Sequence, residues 1–89
     1  MKNFPFKQTN ESGLLVREFS SDTDSEELVW HRDRSDRKVL IRSGSGWMLQ
    51  FENQLPFLLE KGKTYYIPKN TYHRVIKGSS SLVVEIEEK

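Results

Sequence analysis

The chain has 89 residues, of which 35% are hydrophobic and 30% charged, and its net charge is +1. That is the size of one domain with one modest core, and it leaves too little apolar material for a second. A charge this close to neutral creates no field to recruit a polyanion. With no cysteine, disulfides, thiolate nucleophiles and zinc–thiolate sites are excluded, which fits a reducing compartment. Met1–Phe6 holds no apolar run of signal-peptide length, and no run anywhere is long enough to span a bilayer. A cytoplasmic protein with no membrane partner is therefore expected.

Residues 1–12 are mixed and polar and read as a tail or edge segment. Residues 13–89 read as the single domain. Gly13 opens a strand over Leu14–Phe19, and Ser20–Ser25 is a Ser/Asp/Thr loop. Glu27–Asp33, with Leu28, Val29 and Trp30, reads as the second strand, and Arg34-Ser35-Asp36 as a turn. Arg37–Arg42 is the third strand. Ser43-Gly44-Ser45-Gly46 is a tight connection, since glycine accepts positive φ. It is a hairpin turn and not the strand-to-helix elbow of a nucleophilic hydrolase.

Trp47–Glu52 alternates, with Trp47, Leu49 and Phe51 on one face. Pro56–Leu59 is a short strand that Pro56 assigns to an edge. Phe51, Leu55, Leu58 and Leu59 also fit helical spacing, but Pro56 inside that helix would cost about 3 kcal/mol, so the strand is preferred. Thr64–Ile67, His73–Ile76 and Ser81–Glu87 follow as strands, the last with Leu82, Val84 and Ile86 on one face. About eight short strands separated by turn residues, with no internal repeat, are the signature of an all-β sandwich or barrel.

Side chains alternate across a strand, so parity groups the polar residues. Val29, His31 and Asp33 share a face of the second strand, Arg37, Val39 and Ile41 a face of the third, and Thr71, His73 and Val75 a face of the seventh. If the apolar members point inward, His31, Asp33, Arg37 and His73 meet in the interior. The opposite parity, with Leu28, Trp30 and Arg32 inside, remains open for the second strand. Plainer roles stand beside this one. His73 would bond backbone carbonyls at the barrel end, His31 and Asp33 would form a surface pair, and Arg37 and Asp36 would be solvated charges. Tyr65, Tyr66 and Tyr72 would line a pocket mouth or simply pack. The bases of Arg32–Lys38 interleave with acids, so a nucleic-acid face is poorly made.

The spacing of these residues resembles the cupin family, whose motifs are G-x5-H-x-H-x3,4-E-x6-G and G-x5-P-x-G-x2-H-x3-N. Gly62, Pro68 and His73 match the second motif. Asn70 stands at its second glycine, where asparagine is the next residue most tolerant of a left-handed turn, and Lys77 stands at its asparagine. The first motif is degenerate: His31 and Gly44 match, while Ser25, Asp33 and Arg37 replace the opening glycine, the second histidine and the glutamate. The resemblance spans residues 26–88. It implies a small RmlC-like jelly-roll (double-stranded β-helix) barrel, and a homodimer.

In cupins the histidines and the glutamate hold a metal. Here Arg37 replaces a negative ligand by a fixed positive charge, and Asp33 can neutralise Arg37 instead of a metal. A metal-free binding module is therefore expected. Arg37, His31, Asp33 and His73 would anchor a small anionic ligand between walls of Trp47, Phe51 and Ile67. One alternative is a metal-dependent enzyme of isomerase or dioxygenase type, holding a divalent ion (Fe, Mn, Ni or Zn) through His31, Asp33 and His73. A further alternative is a degenerate barrel that serves only to pair with another protein.

Overall fold

The structure is a computed structural model that describes residues 7–20 and 28–88. Residues 1–6 of the N-terminal segment, most of the Ser/Asp/Thr loop, the motif position Ser25, Glu27 and Lys89 lie outside the described residues. Eight strands run in the order β1 (Lys7–Glu11), β2 (Leu14–Phe19), β3 (Arg37–Ser43), β4 (Met48–Phe51), β5 (Phe57–Leu58), β6 (Thr64–Ile67), β7 (His73–Ile76) and β8 (Leu82–Glu88). They form a five-stranded sheet, β1-β2-β8-β3-β6, and a three-stranded sheet, β5-β4-β7, with antiparallel pairing throughout. The expected all-β jelly-roll architecture is what the chain adopts, and Pro56 leads into an edge strand.

Lys7–Glu11 is an edge strand joined to β2 by a two-residue turn, Ser12-Gly13, between Glu11 and its partner Leu14. Ser12 and Gly13 have φ of 53° and 85°. Positive φ at both turn positions matches the right-handed twist of the flanking strands, which is why such hairpins favour glycine.

One expected strand is absent. Residues 28–36 form no ladder; a single backbone bridge joins His31 to His73 on β7. Val29 and Trp30 are 58% and 43% exposed, so no apolar face holds this segment along its length. The Asp33 carbonyl accepts from Asn70 N–H at 2.7 Å in the β6–β7 turn, which takes it out of any strand pairing.

The core lies between the sheets. Leu82, Val84 and Ile86 of β8 face Leu49 and Trp47 from the smaller sheet, with Phe19, Ile41, Leu59 and Ile67 completing the cluster. Burying side chains of this size contributes about 1.5–3 kcal/mol each. Trp47 is fully buried, and its Nε1–H donates to Ser80 O at 2.6 Å. Ser79 N–H donates to Ser45 O at 2.9 Å beside it. This end of the barrel closes because Gly78 has no side chain: a Cβ there would strike Ser45 O and the Trp47 backbone.

Gly78→Ala must push two loops apart. Overpacking of this kind costs about 1–3 kcal/mol, so the urea midpoint of the variant falls. An unchanged midpoint would show that the two loops are not held in contact.

Candidate metal centre

The site lies at the end of the barrel opposite Trp47, where both sheets and one connecting loop meet. His73 opens β7 opposite Phe51. Arg37 opens β3 between Ile67 of β6 and Glu88 of β8. His31 reaches β7 through reciprocal backbone bonds with His73, of 3.0 and 2.9 Å. Asp33 follows two residues later on the turn that leads into β3. The structure therefore brings His31, Asp33, Arg37 and His73 together. The inward parity holds for His31 and Asp33, though without the strand from which it was read.

Two further contacts fix the loop carrying Asp33. Besides the Asn70–Asp33 bond, Lys69 N–H donates to Asp36 Oδ1 at 2.8 Å. Asn70 has a φ of 60°, the left-handed geometry expected where the family places glycine. The β6–β7 turn is thus clamped onto the 33–36 turn from both sides.

The imidazoles lie 4.3 Å apart, centroid to centroid, at 58°. Each is tethered in the same way. His31 Nδ1 lies 2.9 Å from Val29 O, and His73 Nδ1 lies 2.8 Å from Thr71 O. A carbonyl oxygen only accepts, so both Nδ1 atoms carry the hydrogen, and in the neutral rings Nε2 holds the lone pair. Both Nε2 atoms turn toward Asp33: His73 Nε2 is 3.4 Å from Oδ2 and His31 Nε2 is 4.0 Å from Oδ1. Together these donor atoms lie within 4.8 Å of one another.

Lone pairs aimed at a carboxylate are repulsive unless something positive lies between. Asp33 Oδ2 is buried and makes no hydrogen bond; its distances of 3.4 Å to His73 Nε2 and to Arg37 Nη1 are ion-pair separations. Burial, the strongest influence on the Asp33 carboxyl, pushes it up. A hydrogen bond from a protonated His73 Nε2 and the charge of Arg37, with the protonated rings of His73 and His31 adding to it, outweigh that and hold it below the usual carboxylate range.

Arg37 is only 14% exposed and is shared between two acids. Its Nε–H donates to Glu88 Oε2 at 3.1 Å, while Nη1 faces Asp33. Ser35 Oγ also donates to Glu88 Oε2, at 3.2 Å. Glu88 is the contributor that residue patterning does not reveal, and Asp36, read as a solvated charge, instead accepts from Lys69 N–H. Glu88 sits in an acidic run at the end of β8, and only the β3–β8 register places it beside Arg37.

Of the three expected walls, Ile67 lines an interior cavity of about 50 Å³, together with Phe19, Leu49, Tyr65, Arg37 and His73. Trp47 and Phe51 do not line it. Trp47 closes the far end, and Phe51 packs against Phe57 and lines an outer depression instead. The cavity has room for a few waters, well below the roughly 300–1,000 Å³ of pockets that enclose whole drug-sized ligands.

Comparisons with known proteins agree with this fold. The sequence matches no protein-family model and no curated protein. Among solved structures, a cupin domain from Bordetella pertussis Tohama I is 25% identical with a TM-score of 0.69, over 100% of this chain and 98% of that one. An RmlC-like cupin family protein with a double-stranded β-helix fold, from Methanocaldococcus jannaschii, is 20% identical with a TM-score of 0.64, over 97% and 79%. HppE in its Fe(II) form is 13% identical with a TM-score of 0.68, over 94% of this chain and 48% of that one. The chain is a small cupin-like jelly-roll domain. No helix among the described residues is long and apolar enough to cross a membrane.

The clamp on the site's loop has a pH signature. The Lys69 backbone N–H, above all, holds the Asp36 carboxyl below its ordinary value of 3.8. A depressed folded pKa contributes stability that is present above the unfolded value and lost as pH falls through the folded one. Asp36→Asn therefore narrows the loss of melting temperature between neutral pH and the acid range below 3.8. Identical acid profiles for wild type and variant would show that the carboxylate does not tie the two turns together.

Proposed function

We propose that this domain binds a divalent cation through His31 Nε2, His73 Nε2 and the Asp33 carboxylate. The observation that carries the reading is the convergence of these donors, with each Nδ1 spent on a backbone carbonyl. A ligating histidine ordinarily donates its other ring N–H to such a group, which orients the ring and makes the ligating nitrogen more basic. The buried, unbonded Asp33 Oδ2 completes the fit. Two histidines and one carboxylate suit Fe(II), Mn(II), Ni(II) or Zn(II), with positions left open to water. Such an ion supplies Lewis acidity and a more acidic bound water. HppE, which shares the fold, has been solved in its Fe(II) form.

This reading is favoured over the metal-free anion pocket by two features. Arg37 is already engaged by Asp33 and Glu88, so without a cation the local charge is negative. The interior cavity of about 50 Å³ is also too small to enclose a metabolite.

The test is metal content and affinity on the purified chain, by elemental analysis and by calorimetric titration with Ni(II). One ion per chain is expected. His73→Ala and Asp33→Asn each lower affinity by at least the roughly 10–100-fold seen when even an outer partner of a metal ligand is lost. Metal uptake that both variants leave unchanged would end the proposal.

A further inference from the structure

Arg37 carries more hydrogen-bonding capacity than the structure uses. Its Nε–H goes to Glu88 and Nη1 faces Asp33, while among the described residues no bond engages Nη2. A guanidinium has five N–H donors in a planar fork suited to carboxylates. The same side chain lines the interior cavity next to His73. A cation donor, a candidate ligand of the metal and the cavity wall are thus adjoining groups. Arg17 also reaches the cavity wall, with its Nε–H given to Gln8 Oε1 at 2.6 Å.

Local charge decides when such a donor can receive an anion. Asp33 and Glu88 outnumber Arg37, so the group of three carries one net negative charge while the histidines are neutral. A second anion is then repelled. A divalent ion on the histidines and Asp33 reverses the sign. With its charge included, the same cluster is net positive, and a small anion gains both attraction and the unused arginine donors.

From this we infer that Arg37 is the anchor for a small carboxylate bound only alongside the metal. The inference rests on the metal-binding reading and deepens it by naming the class of ligand: a carboxylate group small enough for a cavity of about 50 Å³. Metal and carboxylate bind as a coupled pair, and coupling is reciprocal, so the carboxylate tightens the metal as much as the metal tightens the carboxylate.

Formate is the probe, being the smallest carboxylate and a weak chelator. Ni(II) is titrated calorimetrically into the chain in chloride and in formate at equal ionic strength. Formate is expected to tighten Ni(II) binding by about fivefold or more, the lower range of ordinary coupling. Arg37→Met abolishes the formate effect. Wild-type Ni(II) affinity that is the same in both buffers overturns the inference while leaving the metal site intact. Formate that stabilises the metal-free chain as much as the loaded one in thermal melts also overturns it. Absence of Ni(II) binding in either buffer overturns the metal reading itself.

Discussion

The site depends on one pair of backbone hydrogen bonds. His31 and His73 exchange N–H and C=O across a single bridge, and among the described residues nothing else resembling a ladder holds the segment before β3 to the smaller sheet. That one closely spaced pair puts the two Cβ atoms side by side. The rings then meet 4.3 Å apart, although 42 positions of the chain separate the residues. An isolated bridge is weak on its own. It persists here because bonds from Asn70 to Asp33 and from Lys69 to Asp36 fasten the following turn. The rings are in turn locked by their own neighbours, Val29 O and Thr71 O, two residues before each histidine. The same i–2 geometry at both positions leaves two Nε2 atoms with nowhere to point but the space around Asp33.

Much of the scaffold is legible in the residues. β8 reads as a strand from Leu82, Val84 and Ile86 because one face is buried and the other solvated, which imposes period two; all three are buried. Trp47 and Leu49 read as core for the same reason. β1 is a different case. Lys7-Gln8-Thr9-Asn10-Glu11 has no apolar member, so no periodicity marks it. What makes it a strand is pairing along β2 and the Ser12-Gly13 turn, a signal carried by one glycine. The strand expected over 27–33 shows the reverse error. Leu28-Val29-Trp30 has the composition of a buried strand, but Val29 and Trp30 are exposed, and composition does not say where a chain's backbone bonds go.

The site was legible in part, and the part is instructive. His31, Asp33, Arg37 and His73 could be grouped by motif spacing and parity, both of which survive the loss of the strand. Parity survives in that His31 and Asp33 are part-buried while Arg32 between them is exposed. The chemistry was less accessible. Whether Arg37 offers its charge to a ligand or spends it depends on Glu88, which lies 51 residues away and belongs to a run of surface acids. Whether the histidines are bases or ligands depends on backbone carbonyls, which have no identity in a sequence at all.

The exchange of the family's glutamate for Arg37 reads differently once its partners are known. A glutamate at this position would add a fourth protein donor, fill a coordination position and lower the charge of a loaded site. Arg37 does the opposite on each count. It offers no ligand atom, and its Nη1 approaches the same Asp33 Oδ2 that faces His73. Taken alone, the change should weaken cation binding, since a fixed positive charge a few ångströms away opposes a second one. Glu88 offsets part of that cost. At 3.1 Å from Arg37 Nε it pairs with the guanidinium and is not among the converging donors His31, Asp33 and His73. Ser35 Oγ, bonded to the same carboxylate oxygen, helps to hold it there. On the proposed metal reading, the carboxylate that the cupin motif places at this position is replaced by one a layer further out, across an ion pair, and the ion would sit beside an arginine instead of a fourth protein donor.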